Sequence, residues 1–247
     1  MSSPALPEEM VASLSEGQRL LYTFTAPSRT MADLRNNASW WVPWLLISIA
    51  SVAFCFALDR RIGWGQVIET QVQANPKTAA QFERMAPAQR EKIMKTQAAV
   101  AGAIAYSAPL TTLLAMVVIA GVLLGLFNFG FGAKLRFGEL MSVSAYSLLP
   151  SILNTVLMIV MLFAVDPESF DAKSPIASSV GYFVPSTMPF LKTLLGAFDV
   201  FTLWQVLLLS IGISQLSKLK VKTGTAFAAI FGLFFVVKLA SAAFSSM

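Results

Sequence analysis

Apolar residues along the chain gather in five long runs that are separated by polar connections. A helix that spans a membrane needs about 20 mostly apolar residues, and each run is close to that length. The runs predict transmembrane helices, and these are expected at about residues 41–58, 98–127, 141–165, 198–216 and 225–244. Pro109 and Pro150 lie inside the second and third runs. Because proline removes a backbone hydrogen bond, each predicts a helix kink.

The polar region at residues 63–97, between the first two runs, also carries helical signals. Pro76 and Pro87 punctuate it, and proline fits the first turn of a helix. Each proline is therefore expected to begin a new helix. The region predicts two or three short helices, the last of which continues into the second span.

The segment before the first run has a weaker pattern. Residues 11–24 place apolar side chains at roughly helical spacing, and two alternatives stay open: an interfacial helix or a partly disordered tail. We expect an N-terminal segment at residues 1–39 and a five-span membrane domain at residues 40–247.

Composition turns this pattern into a class of protein. The chain is 56% hydrophobic and only 13% charged, and its mean hydropathy is +0.68, whereas a soluble domain is close to a quarter charged. These values predict an all-α polytopic membrane protein. The chain has no histidine and one cysteine, Cys55, so the commonest general base and the usual zinc ligand sets are missing. We therefore predict no catalytic residues, no metal site and no cofactor.

Charge predicts the surroundings of the loops. The formal net charge is +5, and without a long basic, aromatic-rich cluster we expect contact with anionic lipid headgroups rather than nucleic acid. Basic residues in short loops favour the cytoplasmic side, which predicts a cytoplasmic N-terminus and a non-cytoplasmic C-terminus. Arg60 and Arg61, directly after the first run, favour the opposite orientation. The short-loop residues are Lys134, Arg136, Lys218, Lys220 and Lys222.

Small residues in the spans predict helix–helix contacts. Gly121 and Gly125 in the second run are four residues apart, as are Ala228 and Gly232 in the fifth. Small residues at this spacing allow two membrane helices to approach closely. These four positions are our candidates for helix packing.

Four polar residues in the spans are candidate structural or functional positions: Asp199, Lys238, Asn154 and Gln205. For Asn154 we expect a structural hydrogen bond rather than a transport site. For Asp199 and Lys238, which can reach a similar depth, three alternatives stay open. They form an ion pair between the fourth and fifth spans, they act separately with Asp199 capping its helix, or they belong to a proton or ion relay.

Two tracts of the chain resemble the Yip-domain family of five-span membrane proteins. One is "FTAPSRTMADLRNNASWWVPWLLI" at residues 24–47, and the other is "FDVFTLWQVLLLSIGIS" at residues 198–214. The polar region at residues 63–97 is similar to that of bacterial members. The resemblance implies an all-helical bundle with a cytoplasmic N-terminus in the bacterial inner membrane. It also implies a role beside ABC exporters, next to which some bacterial members are encoded. It defines no catalytic residues.

The leading functional hypothesis is a non-enzymatic integral membrane protein that acts through helix–helix contacts, as an accessory or assembly partner of an ABC-type exporter. The alternative is a small transporter or channel. Its polar path would use Asn154, Gln205, Ser210, Ser214 and Lys238. An intramembrane enzyme is disfavoured because the chain contains no recognisable catalytic motif.

Overall fold

The computed structural model describes residues 13–73, 76–166, 176–185 and 188–245. In these ranges the chain is helical and has no strand, although Ser179 and Asp199 form an antiparallel bridge. The helices are α1 (Glu16–Thr25), α2 (Pro27–Asp33), α3 (Trp41–Arg61), α4 (Trp64–Gln73), α5 (Pro76–Glu83), α6 (Pro87–Tyr106), α7 (Ala108–Phe131), α8 (Phe137–Ser147), α9 (Pro150–Ala164), α10 (Pro189–Leu195), α11 (Val200–Leu216) and α12 (Thr223–Ser245). A short 3-10 helix, Val180–Phe183, precedes α10.

Within the described ranges, four helical segments are long and apolar enough to cross a membrane. They are Trp41–Arg61, Ala108–Phe131, Phe137–Ala164 and Thr223–Ala243. The segment predicted at residues 198–216 forms the shorter apolar helix α11, of 17 residues. The chain is therefore an all-α polytopic membrane protein, as its composition predicts.

The second span begins later than the predicted residues 98–127. Helix α6 continues to Tyr106, Ser107 leaves the helical conformation, and α7 starts at Ala108. Pro109 has no N–H for the carbonyl of residue 105, and that carbonyl instead accepts the Cys55 thiol at 3.5 Å. The predicted kink at Pro109 is thus a complete helix boundary.

The third span is interrupted in a similar way at Pro150. Helix α8 ends at Ser147, a turn follows, and Pro150 begins α9. Pro150 has no N–H to donate to the carbonyl of Tyr146, four residues earlier. That carbonyl instead accepts the N–H of Leu149 at 3.2 Å. The kink predicted from the sequence is therefore a turn between two helices of one span.

Helix α8 lies at the centre of the bundle, with every residue from Glu139 to Ser147 buried. It packs against α7 and α11, and α2 packs against α11 beside it. Gly212 of α11 allows this close approach, because a Cβ there would lie 2.3 Å from Cγ1 of Val143 and 3.3 Å from Sδ of Met31. The core thus includes a residue of the N-terminal segment.

The two polar segments are both helical where they are described. Helices begin at Pro76 and Pro87, as predicted, so α4, α5 and α6 occupy the polar region. Residues 13–24 contain most of α1, so this part of the segment is helical, and its place at a membrane interface stays a prediction. Residues 11–12 of that prediction lie outside the described residues.

Candidate functional site

The N-terminal helices lie on the bundle and bury a charge. Helix α1 contacts α8, and the Arg19 side chain of α1 is 0% exposed. Its backbone carbonyl accepts the hydroxyl of Thr23 at 2.7 Å and the hydroxyl of Thr30, on α2, at 3.0 Å. A buried polar seam therefore joins α1 to α2.

Four side chains, here called the Arg19 cluster, form the centre of this seam: Arg19, Glu16, Asp33 and Tyr146. Arg19 Nε donates to Asp33 Oδ2 at 2.7 Å, and Arg19 Nη1 donates to Glu16 Oε1 at 3.1 Å. Tyr146, fully buried on α8, donates its hydroxyl to Glu16 Oε2 at 2.6 Å. The cluster links the N-terminal segment to the central helix of the bundle.

The electrostatics of the Arg19 cluster favour a fixed charge. Burial alone lowers the pKa of Arg19, but the hydrogen bond and charge of Asp33 and the charge of Glu16 outweigh it, so the pKa is raised. Arginine therefore stays protonated and cannot act as an acid or a base. Its remaining nitrogen, Nη2, is buried without a hydrogen-bond partner in the described chain. The arrangement holds helices together and offers no proton transfer through Arg19.

Helix α1 places both apolar and charged side chains against the bundle. Ser15 and Gln18 form a capping box that begins the helix. Leu21 is 59% exposed, whereas Leu20 packs against the main core and Phe24 lies edge-on to Trp204 at 5.7 Å. The side of α1 that faces the bundle therefore carries both apolar contacts and the paired Arg19.

A cleft of about 470 Å³ opens next to the cluster. We call it the Arg29–Arg35 cleft, and it is defined by Tyr22, Arg29, Asp33, Arg35 and Asn36. The Arg29 guanidinium lies over the Tyr22 ring, 5.6 Å from its centroid. The cleft therefore combines two basic side chains with one acid from the Arg19 cluster.

Of the predicted polar residues, Asp199 caps a helix. Its Oδ1 accepts the N–H of Thr202 at 3.0 Å at the start of α11, and its Oδ2 accepts the Ser178 hydroxyl. Lys238 lies instead over the ring of Phe234, 5.5 Å from its centroid. Asp199 and Lys238 form no ion pair in the described chain. The predicted ion pair between the fourth and fifth spans is therefore not found, and the capping alternative fits.

Asn154 and Gln205 are half-buried on α9 and α11. Neither forms a hydrogen bond within the described ranges, so the structural hydrogen bond expected for Asn154 is not found. Ser210 donates to Val206 of its own helix at 2.6 Å, while the buried hydroxyl of Ser214 has no partner in the described chain. The structure does not join these groups into one hydrogen-bonded chain.

Among the described residues, the predicted small-residue positions form no close helix contacts. At Gly121, Gly125 and Gly232 a Cβ would meet nothing within 4 Å outside its own helix, and Ala228 is exposed. The predicted contacts are therefore not found within the described chain, and packing at these four positions stays a prediction. The close contact lies at Gly212 instead, which sequence reasoning missed although Ser210 and Ser214 mark the same stretch as rich in small residues.

The remaining observations concern metals and relatives. Among the described residues, no group of three or more acidic, cysteine or histidine side chains could hold a metal ion. The model of the Yip1 domain family matches residues 21–242. Comparison with curated proteins and with solved structures gave no match.

Proposed function

Because the chain belongs to the Yip1 domain family, we propose that it is a non-enzymatic membrane protein that acts through helix–helix contacts with a second membrane protein. The partner we propose is an ABC exporter, for which this chain is an accessory or assembly subunit. The similarity of residues 63–97 to bacterial members supports this partner and a place in the inner membrane. The basic short loops support a cytoplasmic N-terminus and a non-cytoplasmic C-terminus.

One observation carries the proposal: small residues of two spans face away from the bundle. Gly121 and Gly125 on α7 and Gly232 on α12 have no neighbouring atom where a side chain would begin. Membrane helices associate where small residues let their backbones approach. A helix of another protein can therefore pack closely on these faces, which no described helix of this chain covers.

A polar transport path has less support. Ser210 donates to its own helix, and Lys238 lies over Phe234 of its own helix. Asn154 and Gln205 lie on different helices and form no hydrogen bond in the described chain. We therefore favour the contact function over the transporter or channel.

Purification in a mild detergent tests the proposal. We expect the full chain to recover an ABC exporter, identified by mass spectrometry, in a fixed ratio. The variant Gly121→Leu/Gly125→Leu should lose the exporter, because leucine blocks the close approach of a helix.

Gly130→Leu is the matched control. Gly130 is also open in α7, and at 3.6 residues per turn it faces about half a turn away from Gly121. Its variant should keep the exporter. Recovery of the protein alone, or equal recovery with both variants, would contradict the proposal.

A further inference from the structure

Among the described residues, the basic side chains of the Arg29–Arg35 cleft have no acidic partner of their own. In the described chain, the side chains of Arg29 and Arg35 form no ion pair and no hydrogen bond. The acid of the cleft, Asp33, is already engaged, since Oδ2 accepts Arg19 Nε at 2.7 Å and Oδ1 accepts the Leu14 N–H at 3.2 Å. The groups left to bind a ligand are therefore two guanidinium groups.

One of these groups is held in place before any ligand binds. The ring of Tyr22 lies under the Arg29 guanidinium at 5.6 Å, and stacking on an aromatic face leaves the edge N–H groups of arginine free. Guanidinium groups bind phosphate with two parallel hydrogen bonds. Asn36, at the rim of the cleft, adds an uncharged amide. The chemistry of the cleft fits a phosphate group.

The position of the cleft in the chain indicates the source of that phosphate. From Arg35 the chain continues through Asn36 to Trp40 and Trp41, and α3 begins at Trp41. Tryptophan is enriched at membrane–water interfaces, and Trp41 is largely exposed. The cleft is therefore next to the depth at which lipid headgroups lie.

We propose that the Arg29–Arg35 cleft binds the phosphate of an anionic phospholipid headgroup. The two guanidinium groups bind the phosphate oxygens, Tyr22 positions Arg29, and the Arg19 cluster keeps Asp33 from repelling the ligand. The acyl chains extend toward the apolar faces of the neighbouring helices. The site is separate from the outward-facing small residues that carry the proposed partner contact.

Native mass spectrometry of the full chain in detergent tests the site, with phosphatidylglycerol as the anionic lipid. The variant Arg29→Gln/Arg35→Gln should weaken lipid binding about 30-fold, because each guanidinium group that contacts the anionic headgroup contributes about a fivefold factor. The control Lys218→Gln/Lys220→Gln removes the same charge from exposed residues after α11. It should change binding by less than about twofold, since this pair does not line the cleft.

Further arms distinguish the ligand sources. Phosphatidylcholine and inorganic phosphate should each bind far more weakly than phosphatidylglycerol. If Arg29→Gln/Arg35→Gln does not fold, Arg29→Lys/Arg35→Lys keeps the charge but loses the paired N–H geometry, and we expect weaker binding than in the unchanged protein. Equal losses in both glutamine variants, equal binding of phosphatidylcholine, binding of inorganic phosphate as tight as that of the lipid, or unchanged binding in the lysine variant would overturn the proposal.

Discussion

Two polar segments flank the first span, and they differ in whether their ion pairs are buried or exposed. The N-terminal segment, α1 and α2, buries Arg19 completely and pairs it with Asp33. The polar insert, α4 to α6, leaves its ion pair in solvent: Lys95 Nζ lies 2.6 Å from Glu91 Oε1, with side chains 77% and 66% exposed. One polar segment therefore has a buried ion pair within the bundle, and the other has an ion pair that is exposed.

The insert is held by apolar contacts. Val67 of α4 belongs to a small core with Leu58 of α3 and Leu162 of α9. Trp64 lies against Gly102 of α6, where a Cβ would be 3.0 Å from the indole ring. The segment that is part of the central bundle is therefore distinguished by its buried charge, Arg19, and not by the number of its charges. Four substitutions test it, from the largest expected effect to the smallest.

Arg19→Met should destabilise the protein most. It leaves Asp33 buried without its cation, and removal of one partner of a buried ion pair costs about 3–5 kcal/mol. Thermal unfolding in detergent measures the loss. The double variant Arg19→Met/Asp33→Leu should recover part of it, since no buried charge then lacks a partner. A loss below about 1 kcal/mol in the single variant would remove the distinction between the two polar segments.

Gly212→Ala should cost about 1–3 kcal/mol, because the added methyl group overpacks the contact among α2, α8 and α11. A Cβ at Gly212 would lie 2.3 Å from Val143 Cγ1. Gly125→Ala is the matched control and should be neutral or slightly stabilising, since alanine is the better helix former and the site is open. Equal unfolding temperatures for the two variants would contradict this packing.

Tyr146→Phe should cost about 1 kcal/mol, the net contribution of one hydrogen bond. It removes the donor to Glu16, whose side chain is 35% exposed and can be partly solvated. The control is Tyr106→Phe, where the exposed hydroxyl lies 3.4 Å from Asp59. We expect a measurable shift in unfolding temperature for the first variant and none for the second. The reverse order would contradict the assignment.

Glu91→Gln should have the smallest effect. The hydrogen bond and charge of Lys95 lower the pKa of Glu91. Any stabilisation by the pair is therefore present above the pKa that glutamate has in the unfolded chain. It is lost as the pH falls through the lower pKa of Glu91 in the folded protein. Because both groups are exposed, salt screens the pair. We expect the same unfolding temperature as the unchanged protein at neutral pH. A clear drop would show that the insert also depends on charge.

The spans were predictable because hydropathy and length determine them. The prolines were also informative, since Pro76 and Pro87 begin helices as expected. Pro109 and Pro150 predict kinks in continuous helices, yet both lie in the first turn of a new helix. The missing N–H of each proline frees a carbonyl, and whether a neighbour such as the Cys55 thiol donates to that carbonyl depends on tertiary contacts that local sequence does not contain.

The sequence does not predict the Arg19 cluster, because the recognisable pattern of α1 is the spacing of its apolar residues. Leu21 is exposed while Arg19 faces inward. The capping signal of Ser15 and Gln18 is present in the sequence. Asp33, the partner of Arg19, lies 14 residues further along the chain, and Tyr146, the partner of Glu16, lies 130 residues further along. Their pairing depends on how α2 and α8 pack, and no local spacing encodes it.

Hydrogen–deuterium exchange of the full protein in lipid nanodiscs tests the central claim, that the N-terminal helices are part of the bundle. We predict that backbone amides of α1 and α2 exchange as slowly as those of α8 and much more slowly than those of α5. Arg19→Met should raise exchange in α1 and α2 but not in α4 to α6. Exchange of α1 and α2 at the rate of α5 in the unchanged protein would contradict the claim.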